Sequence, residues 1–381
     1  MMMRFVSVKL LALLCLTALT ISCKNDPKHP IPPAGTDSDR GLMLTNIADN
    51  IVIPAYANFN AKLTIMITKS DAFIANPNPT TLTEYRTAWK DAYIAWQKVA
   101  LFDFGPALDY TLSSFMNVYP TNVTTINANI ASGTASLETF ASYPAQGFPA
   151  LDYLLNGIAA TDADIVTLYT TDADATKRKA YLLQLTNQMR TKFDVVNNAW
   201  NGSYRNTFVA STGTGLYSST SLMVNGIVFY YERYLRSGKF GIPSGAMVNG
   251  TLLPGSVEAY YTKDIAKTLA QTTHQAFVDF FNGKGFTTGI EGGSLKTYLN
   301  SLNAKDATTQ VLLSETINTQ FDVVNAKLAL LSGEDLSNEV STNNAAMIAV
   351  YTELQKAVRM LKVDMTSATS ITITYADNDG D

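Results

Sequence analysis

The chain has 381 residues, a formal net charge of −4 and an apolar fraction of 46%. This length allows one large domain or two ordinary ones, and the composition is typical of a folded protein and excludes a disordered one. Because the chain has no basic excess, we expect no nucleic-acid partner.

The first 22 residues have the pattern of a secretory signal. Arg4 and Lys9 precede an apolar run, Leu10 to Ser22, which is too short to cross a bilayer as a helix. The run ends in TISC, and a small residue before a cysteine resembles a lipoprotein cleavage site, with Cys23 as the acylated first residue. We therefore expect an outer-membrane lipoprotein of the cell envelope, anchored through Cys23 and facing the periplasm or the surface. The alternative is an ordinary signal peptide cleaved nearby.

The segment that follows the signal is predicted to be a flexible tether, because its prolines and polar residues disfavour helix and sheet. From Gly41 onward, apolar residues recur at helical spacing, and a stretch rich in Gly, Ser and Thr near residue 205 is the predicted boundary between two helical bundles. The β-branched alternation near the end favours one short strand. The predicted order is a signal at 1–22, a tether at 23–40, bundles at 41–205 and 206–366, and a tail at 367–381.

Apolar stripes predict which helix faces are buried. Residues three and four positions apart share a helical face, and such spacing is more typical of core packing than of a cofactor site. The three clearest stripes are Tyr85, Trp89, Ala92, Trp96 and Val99; Phe321, Val324, Leu328 and Leu331; and Met347, Val350, Leu354, Val358 and Leu361.

The pentapeptide PALDY occurs twice, at residues 106–110 and 149–153. Proline is tolerated in the first turn of a helix, where its missing N–H leaves no bond unmade. The second copy therefore predicts a helix from near Pro149 to Gly157, with Asp152 in or beside the first turn. Asp109 has the same place in the first copy. One interpretation is that both carboxylates only stabilise helix starts.

Longer segments resemble the imelysin family of bacterial envelope proteins. These segments are AWKDAYIAWQKVALFDFGP, NVYPTN, SLMVNGIVFYYERYLRSGKFGIPSG and VEAYYTKDIAKTLAQTTHQAFVDFFNG, and they occur in the family's order. The resemblance extends from about Ala48 to Leu361. It implies an all-α fold of two packed helical bundles, and an association with iron-regulated genes and iron acquisition.

The family's signature is Gly-x-His-x-x-Glu, whose histidine and glutamate share one helical face and suit two ligands of one divalent metal. In this chain GFPALD stands in its place. Gly147 is kept, Pro149 replaces the histidine and Asp152 replaces the glutamate. Because proline offers no ligand atom and aspartate is one methylene shorter, the replacement argues against metal binding of the family type and against hydrolysis.

Hard cations such as ferric iron prefer oxygen ligands, so Asp109 and Asp152 are candidate metal ligands if the two PALDY helices start side by side. The cofactor is otherwise unknown, and iron or another divalent or trivalent metal is the hypothesis. A wider binding site is predicted between the two bundles, built from Asp109, Asp152, Tyr153, Asn225 and Glu232. The alternative is that these side chains form caps and salt bridges that fix how the bundles dock.

Three functions stay open. The first is a non-enzymatic lipoprotein that binds iron, an iron carrier or a partner protein of an uptake system. The second is a metallopeptidase, because the resembled family is classified with metallopeptidases; Pro149 argues against it, and no catalytic residue is predicted. The third is a structural module that binds a protein. His274, the only histidine in the folded part, is interpreted as a helix-surface or core residue.

Overall fold

The structure, a computed structural model, describes residues 36–376. Its α-helices are α1 Asp37–Asn46, α2 Ile53–Ala75, α3 Pro79–Gln97, α4 Pro106–Asp109, α5 Leu112–Met116, α6 Val123–Ser132, α7 Gly147–Asp152, α8 Asp162–Thr170, α9 Ala175–Ala199, α10 Arg205–Ala210, α11 Ser219–Tyr230, α12 Ala266–Asn282, α13 Leu295–Ser301, α14 Leu313–Ala329, α15 Leu336–Thr342, α16 Asn344–Arg359 and α17 Thr366–Thr369.

Several α-helices continue directly into wider π-helical turns. These turns are Ile47–Val52, Tyr153–Gly157, Trp200–Tyr204, Tyr231–Gly241 and Met360–Met365, and two 3₁₀ segments lie at Phe140–Ala145 and Pro254–Ser256. The prediction of an all-α fold is confirmed. The predicted signal peptide, the lipidation at Cys23 and the end of the tail lie outside the described residues.

Helix α3 shows how the local sequence specifies an element. It starts where the Asn78 side chain accepts hydrogen bonds from the backbone N–H groups of Thr80 and Thr81, and Pro79 follows as the first helical residue. The predicted aromatic stripe, including Trp89 at 0% exposure, faces inward. Burying an aromatic side chain contributes about 1.5–3 kcal/mol, so this face holds α3 against its neighbours.

The core has two centres that meet at α3. In the first half of the chain, α2 packs against both α3 and α9. In the second half, α14 and α16 pack together, and α16 also packs against the π-helical segment Tyr231–Gly241. Helix α12 contacts α3 and α14, which joins the two halves into one compact unit. The boundary near residue 205 stays a prediction.

The tail departs from its prediction. Residues 371–376 form no strand, so the short C-terminal strand is wrong for the described part of the tail. The segment is extended, but its hydrogen-bond partner is a side chain. The Asn225 amide donates to the carbonyl of Thr372 at 3.0 Å and accepts from the N–H of Thr374 at 2.8 Å, which leaves no need for a partner strand.

A helix continues through a stretch that contains Gly and Ser. The π-helical segment extends through Ser237 and Gly238 to Gly241. A side chain at Gly241 would lie 2.7 Å from the sulfur of Met247, so the glycine is needed for packing here and does not end the helix early. None of the helices within residues 36–376 combines the length and apolar character needed to span a membrane.

Candidate functional site

The motif segment GFPALD forms helix α7. The backbone at its first residue requires a glycine. Gly147 has φ +71°, and a Cβ there would lie 2.2 Å from the carbonyl oxygen of Met116. The next residue, Phe148, stacks on Tyr93 with ring centroids 4.5 Å apart, and its carbonyl accepts from the indole N–H of Trp89 at 3.2 Å. The motif is therefore fixed against α3 by packing on both sides.

Asp152 is the last residue of α7, not part of its first turn, so its predicted role at the helix start is wrong. Its carboxylate accepts from the backbone N–H of Tyr261 at 2.8 Å, from that of Thr262 at 2.9 Å and from the side-chain amide of Asn156 at 3.1 Å. The side chain is 1% exposed. It binds the motif helix to the segment that leads into α12.

The protonation of Asp152 is set by opposing effects. Burial raises the pKa of this carboxyl group to about 7, because the charged form loses its hydration. The N–H donors of Tyr261, Asn156 and Thr262 act in the opposite direction and lower the pKa. The carboxyl therefore changes its charge close to neutral pH.

The structure does not bring Asp109 and Asp152 together. Asp109 lies in the first turn of α4, as predicted, and is exposed. Burial and, to a lesser extent, the Asp109 charge raise the pKa of Tyr204 to about 12. Within residues 36–376 no group of three or more His, Cys, Asp or Glu side chains is arranged to hold a metal ion. Asp109 is exposed and Asp152 is buried, and the hypothesis that they are metal ligands stays a prediction.

A cavity of about 200 Å³ opens beside the motif helix and is called the motif cavity below. Pro149 and Asp152 of the motif line it together with Tyr260 and Tyr261. The remaining wall residues are Tyr119, Pro120, Thr121, Gly255, Val257 and Ala259. Tyr153, a predicted site residue, packs its ring against Tyr261 at 5.1 Å behind this wall. The motif and its neighbourhood thus form a small polar and aromatic cavity.

A buried ion pair lies next to this cavity along the chain and was not predicted. Lys239 bonds to Glu258, which sits between two wall residues of the motif cavity, and both side chains are 3% exposed. Gln97 from α3 contacts both partners: its oxygen accepts from Lys239 and its amide N–H donates to Glu258, each at 3.0 Å. Burial lowers the pKa of Lys239, whereas Glu258 opposes that shift.

Further polar groups complete this network. The Asn117 amide donates to Glu258 at 2.6 Å, the Tyr93 hydroxyl donates to it at 3.1 Å, and Thr273 donates to Gln97 at 2.7 Å. Lys239 and Glu258 both lie in segments that resemble the family, and Glu258 lies in an apolar stretch, VEAYY. The one sequence signal for this ion pair is an acidic residue inside an apolar stretch, because buried carboxylates are almost always paired.

The predicted residues Asn225 and Glu232 lie at another place. Asn225 holds the C-terminal segment, as described above. Glu232, 1% exposed, lies 3.2 Å from Lys362 and 3.6 Å from Arg236, and it accepts from the Tyr375 hydroxyl at 3.0 Å. These two residues fix the tail to the second half of the chain, and the contacts described here are not between the two predicted bundles.

His274 is a core histidine. Its Nδ1 lies 3.0 Å from the Tyr231 hydroxyl and its Nε2 lies 3.1 Å from the carbonyl oxygen of Phe321. Only a donor can face a carbonyl, so Nε2 carries the proton and Nδ1 accepts from the tyrosine. Burial lowers the pKa of this imidazole to about 4. Both ring nitrogens are therefore used inside the protein.

Similar solved structures share this fold. An imelysin-like protein from Psychrobacter arcticum superposes with a TM-score of 0.65 at 18% identity, covering 89% of this chain and 98% of its own. A protein from Parabacteroides distasonis described as an iron-regulated protein A precursor superposes with a TM-score of 0.66 at 17% identity, covering 86% of this chain and 96% of its own. No curated protein gives a significant match.

The family model for imelysin, peptidase M75, matches residues 52–365, which is most of the chain. The match covers the motif helix, the Lys239–Glu258 network and the core helices of both halves. The chain belongs to the imelysin family.

Proposed function

We propose that this chain is a non-enzymatic binding protein of an iron-acquisition system, which takes a small iron-carrying organic molecule at the motif cavity. The proposal rests on the side chains that the motif presents. Position 149 offers no ligand atom, and both oxygens of Asp152 already accept N–H groups of the protein. A cavity of about 200 Å³ remains beside these residues, and this volume admits only a small molecule.

The side chains do not support hydrolysis. A metallopeptidase needs ligands for a metal that activates water, and the altered motif supplies one carboxylate that is already engaged. A serine or cysteine mechanism needs a base that is free to take a proton from the nucleophile. His274 cannot serve, because Tyr231 and Phe321 occupy its two nitrogens.

The walls of the motif cavity suit an oxygen-rich organic molecule. Thr121 and Tyr260 are polar wall residues, and Pro120 and Val257 bring apolar surface. The Thr121 hydroxyl donates to the carbonyl of Pro149 at 3.0 Å, so it is left as an acceptor for a ligand. Ferric citrate is a simple probe of this class. The link to iron rests on the similar Parabacteroides structure, which is described as iron-regulated, and on the family.

The proposal also places the protein in the cell envelope, held at the outer membrane by a lipid on Cys23. Its support is the signal-like N-terminus that ends at this cysteine. Metabolic labelling with palmitate, followed by membrane fractionation, tests this part. Label and membrane association in the native chain, both lost in Cys23→Ser, are expected; a native chain without label would contradict the anchor.

Calorimetric titration with ferric citrate, ferrous iron and zinc tests the binding function. Gly255→Phe is the blocking variant, because Gly255 lines the motif cavity and an added Cβ there meets no atom within 4 Å. Gly333→Phe is its control, at an equally open glycine outside the cavity. We expect one ferric citrate per chain, lost in Gly255→Phe and kept in Gly333→Phe.

Two other results would overturn the proposal. Chelator-sensitive cleavage of casein by the purified protein would show a metallopeptidase. Heats without saturation for all three probes would remove iron binding and favour a structural module that binds a protein.

A further inference from the structure

A second cavity, with a volume of about 640 Å³, lies between the two halves of the chain. Its walls come from α2, the end of α3, α12 and the loop at residues 283–293. This volume is in the range of pockets that hold small organic ligands. It shares no wall residue with the motif cavity, so it stands independently of the proposed function.

Lys98 supplies a positive charge at this cavity. The side chain follows α3 and is exposed, and its ammonium group lies 5.8 Å from the ring centre of Phe286. Across residues 36–376, no carboxylate oxygen comes within ion-pair distance of it. The other lysine of the cavity, Lys284, lies 3.5 Å from Asp279, whose carboxylate also accepts from Gln275 at 2.9 Å. One cation is therefore available for a ligand.

The rest of the cavity combines apolar rings with amide groups. Phe102 and Ile51 are buried side chains that form an apolar floor, and Phe286 is half-buried beside Lys98. Asn58 and Gln271 line the cavity with side-chain amides, which donate to and accept from oxygen atoms of a ligand. A flat apolar group suits a wall with two aromatic rings, and a single negative charge suits Lys98.

We infer that this cavity binds small aromatic carboxylates. The carboxylate pairs with the Lys98 ammonium group, the ring lies against Phe286 and Phe102, and the two amides bond oxygen substituents. A ligand with several negative charges is disfavoured, because Asp279 is paired with Lys284 and Lys98 is left to balance one charge.

Calorimetric titration of the purified protein with benzoate tests the inference, with benzamide as the neutral ligand of the same shape. We expect one benzoate per chain, and benzamide weaker by about tenfold, because a bond to a charged partner is the stronger kind. Lys98→Met keeps the side-chain length without the charge and should weaken benzoate about tenfold, whereas Lys98→Arg should keep most of the affinity. Phe286→Ala should also weaken it.

Lys305→Met is the matched control, since Lys305 is an exposed lysine outside this cavity. The Lys305→Met variant should bind benzoate with the affinity of the native chain. Circular dichroism confirms that each variant is folded, which is expected because Lys98 is exposed and Phe286 only half-buried. Equal benzoate affinity in Lys98→Met and the native chain, or no saturation at tens of millimolar benzoate, would overturn the inference.

Discussion

Lys239 and Glu258 form an ion pair inside the protein, and each side chain is only 3% exposed. Removing two charges from water costs several kcal/mol per ion, so such a pair depends on further hydrogen bonds. Gln97 supplies them to both partners from α3. The pair thus ties the π-helical segment Tyr231–Gly241 and the chain before α12 to the aromatic helix of the first half.

Loss of one partner of this pair should be costly. Glu258→Gln leaves the buried Lys239 ammonium group without its carboxylate, and we expect the free energy of unfolding to fall by about 3–5 kcal/mol. Lys239→Met should have a similar effect. The double variant should lose clearly less than the sum of the two, because neither charge is left alone. Urea unfolding of the three variants measures this coupling; additive losses would show that the two groups do not act as a pair.

The helices could be predicted from the sequence because their signals are local. Trp89 and Trp96 repeat at helical spacing, and both are buried in α3 as expected. The pairing of Lys239 with Glu258 could not be predicted, since neither residue carries a periodic signal that points to the other. Gln97 lies 161 positions from Glu258, and only the packing of α3 against the second half brings them together.

The prediction for Asp152 failed for a related reason. A proline three residues earlier correctly indicated a helix, but the backbone donors that the carboxylate binds are Tyr261 and Thr262, more than 100 positions away. Asp109 carries the same local sequence and does lie in a first turn, exposed at α4. The two identical pentapeptides thus have different structural roles, because their tertiary contacts differ and these contacts override local helix propensity.

Asp152 should make the stability of the protein depend on pH near neutrality. Its pKa in the folded state, about 7, lies above the ordinary value of 3.8 because of burial. The folded state therefore binds the proton more tightly, and the stabilisation is complete below about pH 4 and is lost as the pH rises through about 7. A shift of this size corresponds to about 4 kcal/mol.

Asp152→Asn isolates this effect, because asparagine does not titrate. We expect the unfolding free energy of the native chain, minus that of the variant, to decrease as the pH rises from 4 to 7. The variant also loses one acceptor for the N–H groups of Tyr261 and Thr262, which lowers its stability at every pH. Denaturant unfolding at several pH values gives the difference, and a difference that stays constant from pH 4 to 7 would contradict the raised pKa.

His274 should act in the opposite direction at lower pH. Burial lowers its folded-state pKa from 6.5 to about 4, so the charged form is favoured only after unfolding. The stability that depends on neutral His274 is complete above about pH 6.5 and is lost as the pH falls through about 4. The chain has two histidines, which makes a proton NMR titration simple to assign with His29→Gln. An imidazole signal of His274 that titrates near 6.5 would contradict its burial between Tyr231 and Phe321.

Asn225 should control the attachment of the C-terminal segment 371–376. Its amide makes both backbone hydrogen bonds that hold this segment, to Thr372 and Thr374. Asn225→Ala removes both, and because Thr372 and Thr374 are exposed, water can replace the amide. We therefore expect a loss of about 0.5–1.5 kcal/mol in unfolding free energy and faster proteolytic removal of the tail. Asn201→Ala is the control, at an exposed asparagine whose amide bonds only within its own helical turn. If the tail is cleaved from both variants at the native rate, the ion pairs and hydroxyl bond of Glu232 with Lys362 and Tyr375 hold it without Asn225.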